Sequence, residues 1–274
     1  MSKTIVITGA SSGIGKATAK YFAENGWNVA ATMRKPENEK ELGNIANVKL
    51  YALDVTDKTQ VESAIAQIKN DFGQIDVLLN NAGYGLIGPL ELADEAQIYK
   101  QFETNVFGCL RTIQTVLPTM KEQKKGLILN VTSIGGIITM PLCSLYHGTK
   151  FAMEGISQSL NYELNPFNIK VATIAPGGVS TDFAGRSMEM TVSEGDQIEG
   201  YENLITAMNN FLNRGEERAS TSEDIAKAIF EAANSENPKI RYVLGSDAVQ
   251  FYGMHRQMEI EEVQNTTKQF FGLV

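Results

Sequence analysis

Three residues that can move or steer a proton stand in one short stretch, NVTSIGGIITMPLCSLYHGTK from Asn130 to Lys150: Ser133, Tyr146 and Lys150. Tyr146 and Lys150 are four apart, so a helix places both on one face with the ammonium under or beside the phenol. A tyrosine in water titrates at about pH 10 and is a poor acid or base at neutrality, whereas a fixed cation favours its phenolate. Tyr146 supplies the one Tyr-x-x-x-Lys match in the chain. The same pair on a plain surface helix would be only an aromatic and a lysine sharing a face, so the surrounding elements decide its meaning.

Those elements alternate strand and helix. KTIVIT (residues 3 to 8) is a short β-branched run, GASSGIG follows at once, and KATAKYFAENG reads as a helix ended by Gly26. The glycines Gly9, Gly13 and Gly15 permit a tight turn and let the backbone approach a pyrophosphate, which a helix N-terminus meets with unpaired N–H groups. A second strand, WNVAATM, ends at Met33 and is followed by Arg34 and Lys35. A carboxylate is expected there for a dinucleotide with a free ribose 2′-OH; a guanidinium instead suits a 2′-phosphate, which points to NADP(H) before NAD(H).

A third strand, Val48 to Leu53, ends in Asp54-Val55, with Asp54 either holding an adenine amino group or capping the next helix. That helix carries Val61, Ala64, Ile65, Ile68 and Phe72 on one stripe. DVLLN runs into Asn80-Asn81-Ala82-Gly83, and a helix over 95 to 122 contains Asn105 and Gly108, both costly in a helix interior; an interior polar role and a local kink are equally open. GLILNVTS ends at Ser133, IKVATIAPGG ends at Pro176-Gly177-Gly178, and KIRYVLG is a seventh strand, after a capping-box helix opened by Thr221 and Asp224. The alternation predicts a single α/β domain over residues 1–274: a doubly wound parallel sheet of about seven strands in three α/β/α layers, with ligands at the carboxyl ends of the strands. Residues 183–218 break the rhythm, and Leu204, Ile205, Met208, Phe211 and Leu212 recur at helical spacing; the insertion is expected either as a substrate lid or as plain packing. The tail ends apolar, in Phe270, Phe271, Leu273 and Val274, and docks on its own domain or on a second subunit.

At 43% hydrophobic residues the chain can build a sizeable core, and it shows no window long and apolar enough to span a membrane and no export signal, which suggests a cytoplasmic location. Its net charge of −8 argues against a general nucleic-acid binder. Cys109 and Cys143 sit inside apolar patterns without metal spacing and read as packed thiols; with His147 and His255 as the two histidines, no metal centre is expected. The basic run KEQKK at Lys121 to Lys125 suits a helix C-terminus.

In this order, Thr8-Gly9-(x3)-Gly13-x-Gly15, Asp54, Asn80-Asn81-Ala82-Gly83, Asn105, Ser133, Tyr146-(x3)-Lys150 and Pro176-Gly177 resemble the short-chain dehydrogenase/reductase family over nearly the whole chain. The T-M-R after the second strand and the R-Y-V-L-G-S-D-A near the end are similar to its hydroxysteroid and retinol dehydrogenase branch. The resemblance implies a Rossmann fold, an oxidoreductase acting on a carbonyl or secondary alcohol, and a homodimer or homotetramer; Ile134, Ile137, Ile138, Met140, Leu142 and Cys143 read either as a mainly apolar substrate pocket or as core. It implies a catalytic tetrad of Asn105, Ser133, Tyr146 and Lys150, with Tyr146 the acid/base and Asn105 placing Lys150 through its backbone or a water. Cofactor contacts are implied at Gly9, Ser11, Ser12, Gly13, Ile14 and Gly15 in the glycine loop, then at Arg34, Asp54 and Val55. They continue at Asn81, Ala82 and Gly83, at Tyr146 and Lys150, and at Pro176, Gly177, Val179 and Thr181. Two features depart from the family pattern: Ser12 stands where NADP-selecting members often carry a base, leaving selectivity to Arg34 and Lys35, and His147 replaces a small residue beside the tyrosine. The rival readings are a non-catalytic NADP-binding sensor or scaffold, and a nucleotide-sugar epimerase or dehydratase.

Overall fold

The computed structural model describes residues 2–180, 187–191, 198–214 and 220–273. In chain order its elements are β1 (Thr4–Ile7), α1 (Gly13–Glu24), β2 (Asn28–Met33), β3 (Val48–Ala52), α2 (Lys58–Phe72), β4 (Val77–Asn80) and a short β5 (Gly85–Ile87). There follow α3 (Glu95–Phe102), α4 (Gly108–Gln123), β6 (Gly126–Val131), α5 (Ser144–Leu164), β7 (Ile169–Pro176), and the short β8 (Val179–Ser180) and β9 (Met188–Met190). The last are α6 (Glu202–Arg214), the short β10 (Ser220–Thr221), α7 (Ser222–Asn234), β11 (Arg241–Leu244), α8 (Ser246–Gln257) and α9 (Ile260–Phe270).

Seven strands make one sheet in the order β11-β7-β6-β4-β1-β2-β3, every neighbouring pair parallel. The strands are apolar on both faces because both are covered. Ile5 and Ile7 of β1, Val29 and Ala31 of β2, and Leu127 and Leu129 of β6 enter one core with Phe22, Trp27 and Ile229 of the α1/α7 side. The alternate residues Val6, Ala30 and Ile128 enter the other, with Val61 and Ile65 of α2, Val116 of α4 and Leu164 of α5. This period-2 division produces the three layers predicted from the alternating elements. The strand order reverses between β1 and β4, and the glycine loop after β1 and the Asn81–Gly83 loop after β4 meet at that crevice.

Two expectations change in detail. The stretch over 95 to 122 is helical throughout, as expected, but between α3 and α4 it forms a π-helical turn over Glu103–Phe107 that contains the buried Asn105. Asp54 does not cap α2; Asp57 does, accepting from Gln60 N–H at 3.1 Å. Asp54 Oδ1 instead accepts from Thr56 N–H and Thr56 Oγ1–H at 2.9 and 2.8 Å. The Thr221–Asp224 capping box opens α7 as predicted. Among the described residues no helix is long and apolar enough to cross a membrane.

The insertion is anchored where it is described. β9 pairs in parallel with β5, Gly85 facing Met188 and Ile87 facing Met190, and Glu189 forms an ion pair with Lys100 of α3. α6 presents the predicted stripe, with Met208 at 2% exposure. The C-terminal segment docks on this chain itself: Phe271 and Leu273 pack with Met208, Phe211 and Leu212 of α6.

One buried carboxylate fastens α5 to the sheet. Glu154 Oε2 accepts Arg241 Nε–H of β11 at 2.7 Å and Thr173 Oγ1–H of β7 at 3.2 Å, while Oε1 accepts Thr132 Oγ1–H at 2.6 Å. Breaking such a pair strands an uncompensated charge, so Arg241→Ala is expected to cost about 2–3 kcal/mol in urea denaturation. A loss below about 0.5 kcal/mol, the range of ordinary surface changes, would show that Glu154 does not hold α5 in place.

Candidate active site

The glycine loop is shaped by what stands behind it. Gly9 and Gly13 have φ of +67° and +51°, and a Cβ on Gly15 would come within 2.5 Å of Gly9 O and 2.6 Å of Asn81 Nδ2. Thr8 Oγ1 accepts from Asn81 N–H and Ala82 N–H at 2.9 and 3.0 Å, and Asn81 Nδ2 donates to Thr8 O and Gly9 O at 2.9 and 3.1 Å. Asn81 therefore braces the loop. A Cβ on Gly9 would come within 2.9 Å of Ala82 Cα, so the two loops touch. Ser12 is the N-cap of α1 but makes no side-chain capping bond, and the first turn holds no acid. The first N–H groups of α1 thus face the sheet edge uncapped, with Ser11 exposed beside them, as an anion requires. Lys16 belongs to another network, ion-paired with Glu39 and Glu41 at 3.2 and 2.8 Å. Ile14 turns inward and packs on the α1 core.

The tetrad candidates converge at the carboxyl ends of β4 and β6. Ser133 Oγ accepts Gly135 N–H at 3.0 Å and hydrogen-bonds the Tyr146 hydroxyl. Lys150 lies one turn below Tyr146 on α5, its Nζ 5.6 Å from the phenol ring centre and donating to Val131 O of β6 at 2.9 Å. Asn105 is committed elsewhere: Oδ1 accepts Tyr84 N–H at 3.0 Å, and Nδ2 donates to Tyr84 O and Thr149 Oγ1 at 2.8 and 3.1 Å. Its side chain ties the loop after β4 to α5 rather than touching Lys150. Gly83 lies between them, since a Cβ there would be 3.1 Å from Asn105 Oδ1 and 3.9 Å from Lys150 Nζ. The π turn accounts for this placement, because the extra residue re-aims Asn105 inward between two helices. Gln101, not singled out in the sequence, extends the brace by donating to Tyr84 O at 2.9 Å and accepting Leu86 N–H at 2.6 Å. Its one signal was its i, i+4 spacing to Asn105.

The electrostatics of the pair are governed first by burial. Burial pushes the Tyr146 phenol up to about 12, against the Ser133 hydrogen bond, which pulls it down. Desolvation therefore outweighs the Ser133 hydrogen bond, and the phenol holds its proton more tightly than a tyrosine in water. Burial lowers the Lys150 ammonium to about 8, with Cys109 and Glu154 opposing. His147 is buried and lowered to about 4 by desolvation; its Nδ1 accepts Met140 N–H at 3.3 Å, so it is a neutral brace of the loop before α5. Both cysteines are buried free thiols, raised by desolvation to about 11 at Cys109 and about 12 at Cys143.

The apolar residues between Ser133 and Tyr146 divide in two. Ile134, Ile137 and Ile138 pack inward with Ala175 and Ala248. Leu142 and Cys143 instead join Tyr146, Ile87, Met188, Met190 and the α6 and C-terminal side chains around the phenol, and Met140 packs on both groups. Leu142 is held at φ +59°, with Gly88 N–H donating to its carbonyl at 2.7 Å. A bulky side chain in that conformation is strained backbone beside Tyr146.

The remaining predicted contacts lie along the same edge. Arg34 follows β2 exposed, with no carboxylate paired to it among the described residues. Asp54 follows β3 half-buried, and Val55 is buried against Gly108. Pro176 ends β7 opposite Leu244, Gly177 N–H donates to Leu244 O at 2.9 Å, and Val179 is half-buried in β8. Thr181 lies outside the described residues.

The short chain dehydrogenase family model matches residues 3–191. The chain is 38% identical over 243 residues to the 3-ketodihydrosphingosine reductase of Bacteroides thetaiotaomicron, covering 88% of this chain and 87% of that one. It is 34% identical over 256 residues to retinol dehydrogenase 8 of Bos taurus, covering 87% and 80%. The solved structure of ElxO with NADP bound superposes with a TM-score of 0.72 at 33% identity, covering 89% of this chain and 96% of that one. Sheet order, glycine loop, tyrosine-lysine helix and these likenesses agree: the chain belongs to the short-chain dehydrogenase family, as an oxidoreductase with a nicotinamide dinucleotide site.

Proposed function

We propose that the protein is an NADP(H)-dependent oxidoreductase that interconverts a carbonyl and a secondary alcohol on an apolar small molecule, with Tyr146 as acid/base. The observation that carries this reading is the Ser133–Tyr146 pair at the strand edge, above Lys150 and bordered by an apolar, methionine-rich wall. The uncapped start of α1 fits a pyrophosphate, and the exposed Arg34 fits a 2′-phosphate. When bound, the nicotinamide supplies hydride to the carbonyl carbon, or takes it back from the alcohol.

In reduction, the Ser133 and Tyr146 hydroxyls hydrogen-bond the carbonyl oxygen. As negative charge develops there, Tyr146 passes it the phenolic proton and Ser133 keeps its hydrogen bond. The Lys150 cation offsets the phenolate left behind. Oxidation reverses each step. Asn105 acts through Thr149 and Tyr84, keeping α5 and the β4 loop at a fixed separation. Methionines suit a wall that adapts to long or irregular apolar ligands, since their side chains are flexible and polarizable. Part of residues 183–218 forms that wall through Met188, Met190 and α6, which supports the insertion as a lid within one domain.

Tyr146→Phe removes the hydroxyl that hydrogen-bonds the carbonyl and donates the proton: turnover of apolar ketones is expected to fall at least about 100-fold, with NADPH affinity changed less than about twofold. Weak NADPH binding in that variant would contradict this division of roles. Arg34→Ala is expected to weaken NADPH about 10-fold or more, leaving NADH unchanged, because it removes one charge-assisted pair. Equal loss for both cofactors, measured by calorimetry, would refute the 2′-phosphate assignment.

A further inference from the structure

The loop after β7 is clamped at consecutive peptide groups. Gly177 N–H donates to Leu244 O of β11, and Ser220 N–H of β10 donates to Gly178 O at 3.0 Å. β8, which continues the loop, pairs with β10, Val179 facing Ser220. The remaining donor, Gly178 N–H, goes to a side chain: Asp247 Oδ2, in the first turn of α8, at 2.7 Å. The other oxygen, Oδ1, is buried without a hydrogen-bond partner. A buried carboxylate oxygen left unpaired is costly, and such groups persist where surrounding structure holds them.

Two glycines make room for this carboxylate. A Cβ on Gly177 would collide with both Asp247 oxygens, and a Cβ on Gly245, at φ +101°, would come within 2.7 Å of Oδ1. The turn and the acid therefore fit as a pair. Asp247 sits at the N-terminus of α8, where the helix dipole steadies a negative charge. It reaches across from the β11 side to fix a peptide of the β7 side, at the sheet edge where the dinucleotide contacts are proposed.

We propose that Asp247 is a positioning residue for the nicotinamide-facing loop: it holds the Gly177–Gly178 peptides in place so that Pro176, Gly177 and Val179 meet the cofactor. This rests on the reading of the site as an NADP(H) site. Asp247 itself touches no reacting atom. Its effect is on cofactor affinity and on the rate with cofactor saturating, not on carbonyl binding.

The test compares wild type, Asp247→Ala and Asp247→Asn by calorimetric NADPH titration, steady-state kinetics, melting, and hydrogen exchange of the peptide containing Gly178. Asp247→Ala is expected to raise the NADPH Kd about tenfold, the effect of one charge-assisted hydrogen bond to a fixed loop, and to lower kcat with the carbonyl KM unchanged. Exchange at Gly178 should quicken. Asp247→Asn keeps an acceptor oxygen and is expected to recover most of the affinity. Should Asp247→Ala fail to fold, Asp247→Ser, polar but too short to reach Gly178, replaces it. Unchanged NADPH affinity in the folded Ala or Ser variant, with only melting lowered, overturns the inference and leaves the cofactor reading standing. Wild type that binds no nicotinamide dinucleotide overturns that reading itself.

Discussion

A lysine ammonium taken out of water needs an acceptor, and Lys150 finds one in the Val131 carbonyl at the end of β6. That single contact fixes where α5 crosses the sheet edge. With Lys150 anchored, Tyr146 one turn earlier is lifted to Ser133, and Glu154 one turn later descends to Arg241, Thr132 and Thr173. The helix is therefore pinned along one face by three polar contacts at i, i+4 and i+8. Close packing makes the crossing possible: a Cβ on Gly136 would lie 2.9 Å from Lys150 O, and one on Gly135 would meet His147 at 2.6 Å.

The same helix is tied back to the cofactor side through Asn105 and Thr149, and from Tyr84 the connection runs along β5 to the insertion strand β9. Glycine loop, Tyr146 and apolar wall are thus supported by one contiguous set of hydrogen bonds and strand pairs. The C-terminal Phe271 and Leu273 close the far side of that wall over α6. Enclosing Tyr146 among Leu142, Cys143 and these side chains raises the phenol above its ordinary value.

Much of this was legible in the sequence where local chemistry alone decides structure. The seven strands are short β-branched or apolar runs ended by turn residues, and their alternation with amphipathic helices admits few topologies. The glycine loop, Ser133, Tyr146 and Lys150 could be placed at one edge because each follows directly from a strand end or a helical spacing. The π turn was not legible: residues 95 to 122 carry a continuous helical pattern, and the cost of Asn105 and Gly108 marks a disturbance without its form. Asp54 and Asp57 offer the same carboxylate three residues apart, and only the path of the turn selects Asp57 as the cap. The isoleucines after Ser133 and the residues just before Tyr146 have similar hydropathy, so composition could not separate core from wall. The phenol's elevation follows from burial, and Tyr146 shares its cluster with side chains of α6 and the C-terminus, which no local pattern records. Asp247 is a further case, an ordinary helix-start acid in sequence whose partner lies in the loop after β7.

The half-buried Lys150 cation is the part of this mechanism most open to experiment. The decisive measurement is kcat/KM for NADPH in carbonyl reduction from about pH 7 to about pH 10, since this ratio reports groups of the free enzyme. The Tyr146 phenol, at about 12, stays protonated throughout, so a fall must come from another group. The expected result is a level rate that declines through about pH 8 as Lys150 loses its proton. A rate that stays level to about pH 10, or that rises as an acid of about that pKa ionises, would contradict a desolvated lysine working beneath a protonated tyrosine.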